Sequence, residues 1–142
     1  MDKTQALQCI RYNATTILSE SRATTATYTN YGYLCNLAKR MLAIEGALIE
    51  VEDFASEPVA NIVANSIHKT VMSLIPSFGL GDFDWDGIGE DLAIIVGNAA
   101  WTLEACDEHG MAQSIHDKYS QFVTMCEMQE RLDEQALTDL AN

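Results

Sequence analysis

Ser56-Glu57-Pro58-Val59-Ala60-Asn61-Ile62-Val63-Ala64-Asn65-Ser66-Ile67-His68-Lys69-Thr70-Val71-Met72-Ser73-Leu74-Ile75-Pro76 is the stretch that decides the fold. Val59, Ile62, Val63, Ile67, Val71 and Leu74 recur at steps of three and four, which places them on one face of an α-helix. Both ends are punctuated. Ser56 is a candidate cap, Pro58 suits a first turn, and Glu57 complements the positive end of the helix dipole. Pro76 cannot continue the helix and ends it.

The same period extends outward in both directions. A first helix is expected from about Asp2 to Glu20, with Asp2 as its cap and Leu7, Ile10, Ala14, Ile17 and Leu18 as its apolar stripe. The polar and β-branched residues 21–27 read as a connector. A second helix is expected from about Asn30 to Phe54, burying Leu34, Leu37, Ala38, Met41, Leu42, Leu48 and Ile49.

Beyond Pro76 comes the one long irregular stretch, residues 76–87. A fourth helix should follow from about Ile88 to Glu108, with Gly110 as its stop. A fifth should start near Ala112, bury Ile115, Tyr119, Phe122, Val123 and Cys126, and fray over its last turn, about residues 135–142. Leu132, Leu137 and Leu140 are expected to pack it on its own bundle. No segment alternates with period two, so residues 1–142 read as one all-α domain, an antiparallel bundle of about five helices.

The chain of 142 residues has 21 acidic side chains, 8 Lys or Arg, and a net charge of −13. That charge is uneven. Residues 1–44 set Lys3, Arg11, Arg22, Lys39 and Arg40 against Asp2 and Glu20, a net of +3. Residues 45–142 set Lys69, Lys118 and Arg131 against the other 19 carboxylates, a net of −16. Such a surface repels nucleic acid and anionic lipid and attracts basic proteins. An apolar share of 48% separates the chain from disordered acidic sequences. No run approaches the roughly 18 apolar residues of a membrane helix. The first residues lack a secretory profile, so the cytoplasm is the expected compartment, and Cys9, Cys35, Cys106 and Cys126 are expected to be reduced.

Asp82-Phe83-Asp84-Trp85-Asp86-Gly87 begins like a calcium loop, with carboxylates at alternate positions before a glycine. The twelfth position, which should hold a bidentate glutamate, is Ala93. The stretch therefore reads as an acidic loop before the fourth helix, with Asp86, Glu90 and Asp91 at its positive end and Phe83 or Trp85 on the core. Cys106, His109, His116 and Cys126 have the residue types of a zinc site, but the cysteines fall on apolar stripes and no close pair sits on a turn. His68 has no acidic or nucleophilic partner in sequence. Glycine-rich phosphate loops and His-Glu-x-x-His or Gly-x-Ser-x-Gly patterns are absent. No catalytic residue, metal or cofactor is expected. Tyr12, Tyr28, Tyr31 and Tyr33, near the basic residues of the first third, suit helix packing or a protein contact better than nucleic acid.

The expected function is therefore that of a non-catalytic interaction protein whose acidic helical face binds a basic partner. In its narrowest form it is an inhibitor that mimics nucleic acid in the groove of a nucleic-acid-binding protein. The face would be built from Asp82, Asp84, Asp86, Glu90, Asp91, Glu104, Asp107, Glu108, Asp117, Glu127, Glu130 and Glu134. The alternatives are a helical scaffold or homo-oligomer without ligand, and a small helical enzyme or metal-binding protein.

Overall fold

A computed structural model describes residues 1–23, 31–78 and 87–142. Among them are five α-helices and no strand: α1 (Lys3–Ala23), α2 (Tyr31–Leu48), α3 (Ala60–Leu74), α4 (Ile88–Ala105) and α5 (His109–Ala141). Short 3-10 turns at Phe54–Ser56 and Ile75–Ser77 flank α3. The fold is an all-α bundle, and antiparallel neighbours are compatible with it. Most of the connector at 21–27 and the aspartates of the 79–86 loop lie outside the described residues.

One apolar core joins all five helices. α1 packs on α2 and α3, α2 on α4, and α5 on both α3 and α4. Ile10, Leu34, Met41, Ile67, Ile95 and Leu103 are fully buried side chains that the first four helices bring to the core. α5 adds Ala112, Ile115, Phe122 and Cys126. Buried Thr70 and Thr102 donate their hydroxyls to the carbonyls of Ser66 (2.8 Å) and Asn98 (2.9 Å), so their burial leaves no orphaned group.

Asp2 caps α1 as expected. Its carboxylate accepts the Gln5 N–H at 2.8 Å, and the Gln5 side chain accepts the Asp2 N–H at 3.0 Å, a reciprocal box. α1 then continues to Ala23, three residues beyond expectation.

α2 stops at Leu48, short of the expected Phe54. Glu50 and Val51 donate to carbonyls three residues back, and Asp53 takes a left-handed conformation (φ 50°) that no helix continues through. Leu42 and Ile49, expected inside, are 55% and 75% exposed. The inward row is Leu34, Leu37, Met41, Ile44 and Leu48, and both misplaced residues sit one step beyond it, about 100° around the helix.

Ser56 does not cap α3. It belongs to the 3-10 turn and donates its hydroxyl to Asp53, while Val59 occupies the cap position without a side-chain bond. Glu57 turns to Lys3 of α1 at 2.7 Å. Ile62 is partly exposed on the outer edge of the α3 stripe. Pro76 ends the helical run as its spacing predicts.

Gly110 is not the stop of α4. The helix closes at Ala105 in a Schellman turn: Glu108 N–H donates to Leu103 at 2.9 Å, Asp107 N–H to Glu104 at 3.0 Å, and Asp107 is left-handed (φ 58°). An aspartate thus holds the position glycine usually fills, and Gly110 falls in the first turn of α5.

The fifth helix differs most from expectation. It is unbroken for 33 residues, about 50 Å, whereas α4 spans 18 residues, about 27 Å. Every residue from 130 to 142 is exposed. Leu132, Leu137 and Leu140 do not pack on the bundle, and the last turns form a helical arm of about 18 Å.

Candidate functional site

The carboxylates proposed for an acidic face separate into groups. Asp82, Asp84 and Asp86 lie outside the described residues. Glu90 and Asp91 occupy the first turn of α4, where the dipole favours them; Glu90 is exposed and Asp91 half-buried. Glu104, Asp107 and Glu108 gather at the α4–α5 joint. There His109 donates Nδ1–H to the Glu104 carboxylate and places Nε2 3.9 Å from Asp107. Asp117 is exposed and accepts the Gln113 amide at 2.9 Å.

Glu127, Glu130 and Glu134 are all exposed on α5, spaced by three and four residues. That spacing aligns them in a row along one side of the helix, while Asp117 falls on another side. The row starts where α5 leaves the bundle and runs onto the arm. Met125, Met128, Leu132, Ala136 and Leu140 follow the same steps along the opposite side. The arm is therefore two-faced. Sequence spacing holds both rows, but only the missing bundle neighbours show that the apolar row is uncovered.

The basic first third presents less free charge than its composition suggests. Arg40 of α2 is held by Glu20 of α1 at 3.0 Å and by Asn13 at 3.3 Å, with its guanidinium over the Tyr12 ring. Asn36 adds a second bond to Glu20 at 2.7 Å. The network ties α1 to α2. Tyr33 is half-buried against the core, and Tyr28 lies outside the described residues.

The four residues drawn as a zinc set do not converge. Cys106 and Cys126 are buried, while His109 and His116 are exposed, and among the described residues no three His, Cys, Asp or Glu side chains are grouped to hold a metal ion. All four cysteines are free thiols. Burial, and then the Glu108 and Asp107 carboxylates, push the Cys106 thiol up to about 12. Cys126 is raised by burial and by Glu127.

One pairing was not legible in sequence: His68 Nε2 lies 2.8 Å from Ser114 Oγ, joining α3 to α5. The Ser114 hydroxyl donates to the Met111 carbonyl at 2.8 Å, so it accepts from His68 Nε2–H. A histidine that donates to the serine cannot take its proton, and the pair acts as a strut in this arrangement.

Two shallow clefts adjoin these helices. One, of about 310 Å³, is lined by Ile49, Phe54 and Trp101 where the α2–α3 link meets α4. The other, of about 240 Å³, lies between the Ile75–Ser77 turn and α5 and includes Phe78, Lys118, Phe122 and Met125. Among the described residues, no helix is long and apolar enough to cross a membrane. No protein-family model, no curated protein and no solved structure matches the chain.

Proposed function

We propose that this protein is a non-catalytic interaction module that binds a basic partner through the carboxylate row of its fifth helix. The observation that carries the reading is the exposed arm with Glu127, Glu130 and Glu134 on one side. Glu130 is three residues from Glu127 and four from Glu134, spacings at which like charges repel, and a cationic partner would relieve that repulsion. The surplus of negative charge over residues 45–142 adds long-range attraction.

Mimicry of nucleic acid is the narrower form of this reading. The row steps by about 4.5 and 6 Å along the helix axis. One strand of duplex DNA advances about 3.4 Å per phosphate. The two spacings match only coarsely, so support is stronger for a basic partner in general than for a nucleic-acid-binding one.

The test is capture of basic proteins by the intact chain at low and high salt, beside the triple variant Glu127→Gln, Glu130→Gln, Glu134→Gln. The reading expects capture at low salt, loss at high salt, and loss in the variant at any salt. Capture that survives the triple substitution would refute it.

A further inference from the structure

We infer that the opposite, apolar side of the same arm is a self-association surface that pairs antiparallel with the arm of a second copy. The inference is independent of the acidic-face reading, because it uses the other side of the helix.

The apolar row is Met125, Met128, Leu132, Ala136 and Leu140, with Leu132 63% and Leu140 85% exposed. Such a row, which starts beside the bundle at Met125 and leaves it beyond residue 130, has the stepping of an amphipathic helix face. What selects a second copy is the placement of charge. Glu127, Glu130 and Glu134 lie on the far side of α5, so two arms can meet without opposing their carboxylates. Of the positions flanking the seam, Thr124, Gln129 and Gln135 are uncharged, Asp133 accepts the Gln129 amide at 3.0 Å, and Asp139 lies at the free end. Arg131, also on a flank, is spaced to pair with Glu127 of its own helix.

The direction of pairing follows from the two ends of the seam. At the bundle end the seam runs into the cleft beside the Ile75–Ser77 turn, where half-buried Lys118 has no ion-pair partner among the described residues. At the free end Asp139 stands beside Leu140, bonded only to the Gln135 amide of its own helix (2.9 Å). In a parallel pair each Lys118 would face its twin. In an antiparallel pair set so that Met128 meets the second copy's Leu132, Met125 meets its Ala136. Leu140 then reaches the mouth of the cleft, and Asp139 comes within reach of Lys118. One register thus satisfies the apolar and the charged contacts together, and twofold symmetry supplies each contact twice.

The test is the solution mass of the full chain by sedimentation equilibrium across a concentration series. The expected mass tends to twice 15.7 kDa. Leu132→Glu should weaken association at least about tenfold, since it places a charge at the centre of the seam. Lys118→Glu should weaken it, and the double variant Lys118→Glu with Asp139→Lys should restore it. Circular dichroism should be unchanged in all three, because each residue lies on or beside the exposed seam. A chain that stays monomeric at the highest concentration would overturn the inference. So would a dimer indifferent to Leu132→Glu, or one that the charge exchange fails to restore. Added salt should strengthen this dimer by screening the net charge of each copy, whereas it should weaken capture of a basic partner, so the two readings fail separately.

Discussion

Replacing Asp107 by glycine should stabilise the protein. Asp107 sits at the left-handed position of the Schellman turn that ends α4, with φ 58°. Left-handed backbone costs an L-residue roughly 1–2 kcal/mol, less for aspartate than for most, and costs glycine almost nothing. The carboxylate is also misplaced electrostatically, next to the negative end of the α4 dipole and beside Glu104 and Glu108. Its side chain is 76% exposed, so screening holds that penalty to a few tenths of a kcal/mol. Against these gains, glycine adds roughly 0.5–1 kcal/mol of freedom to the unfolded chain. The expected balance is about 0.5 kcal/mol in favour of Asp107→Gly, a rise in Tm of about 2 °C for a chain of this size.

Asp107→Ala is the control, because it removes the charge and keeps the Cβ. It should leave stability near the parent or slightly below it. Urea and thermal unfolding followed by circular dichroism report both. If alanine stabilises as much as glycine, the gain is electrostatic and the backbone argument is wrong. If glycine fails to stabilise at all, the turn itself is misassigned.

Asp53→Gly, at the second left-handed position, should gain little, because it also removes the acceptor of the Ser56 hydroxyl; a denaturant midpoint close to the parent's would bear this out. Asp2→Ala should cost about 1 kcal/mol by opening the box at the start of α1, measurable as a lower urea midpoint. Leu103→Ala, in the core, should cost about 3 kcal/mol, whereas Leu132→Ala, on the arm, should cost a few tenths in the monomer. Equal losses in equilibrium unfolding would contradict the position of the arm. For Cys106, burial pushes the folded thiol from the ordinary 9.0 up to about 12, so the folded state keeps its proton longer. Stability from this group is complete below pH 9 and falls as pH rises from 9 towards 12. Urea midpoints on the alkaline side should fall less steeply in Cys106→Ala than in the parent.

The periodicity of Ile10, Leu34, Met41, Ile67, Ile95 and Leu103 made five helices and one core legible in the sequence. Helix ends were less so. Leu42 and Ile49 are as apolar as the residues beside them, and composition does not say which of two adjacent leucines or isoleucines faces inward. Glycine usually marks such turns, which points to Gly110 as the stop of α4, but the turn is fixed by backbone bonds to Leu103 and Glu104 that an aspartate tolerates at a cost. The arm is hidden from sequence for a related reason. Leu132, Leu137 and Leu140 are spaced as packing residues are, and a sequence does not show that the surface they would pack on has ended. The His68–Ser114 strut joins residues 46 positions apart in the chain, which only the packing of α3 on α5 brings together.

The continuity of α5 has one more consequence. Starting a helix is the unfavourable step, with a nucleation factor of about 10⁻³, whereas each added residue costs little. The packed turns containing Ile115, Phe122 and Cys126 act as a permanent nucleus for residues 130–141. The arm therefore needs only to propagate, and its backbone can fray and re-form from the free end without disturbing the core. A basic partner of the kind proposed would meet a template already begun, and would order it from the bundle outwards, turn by turn.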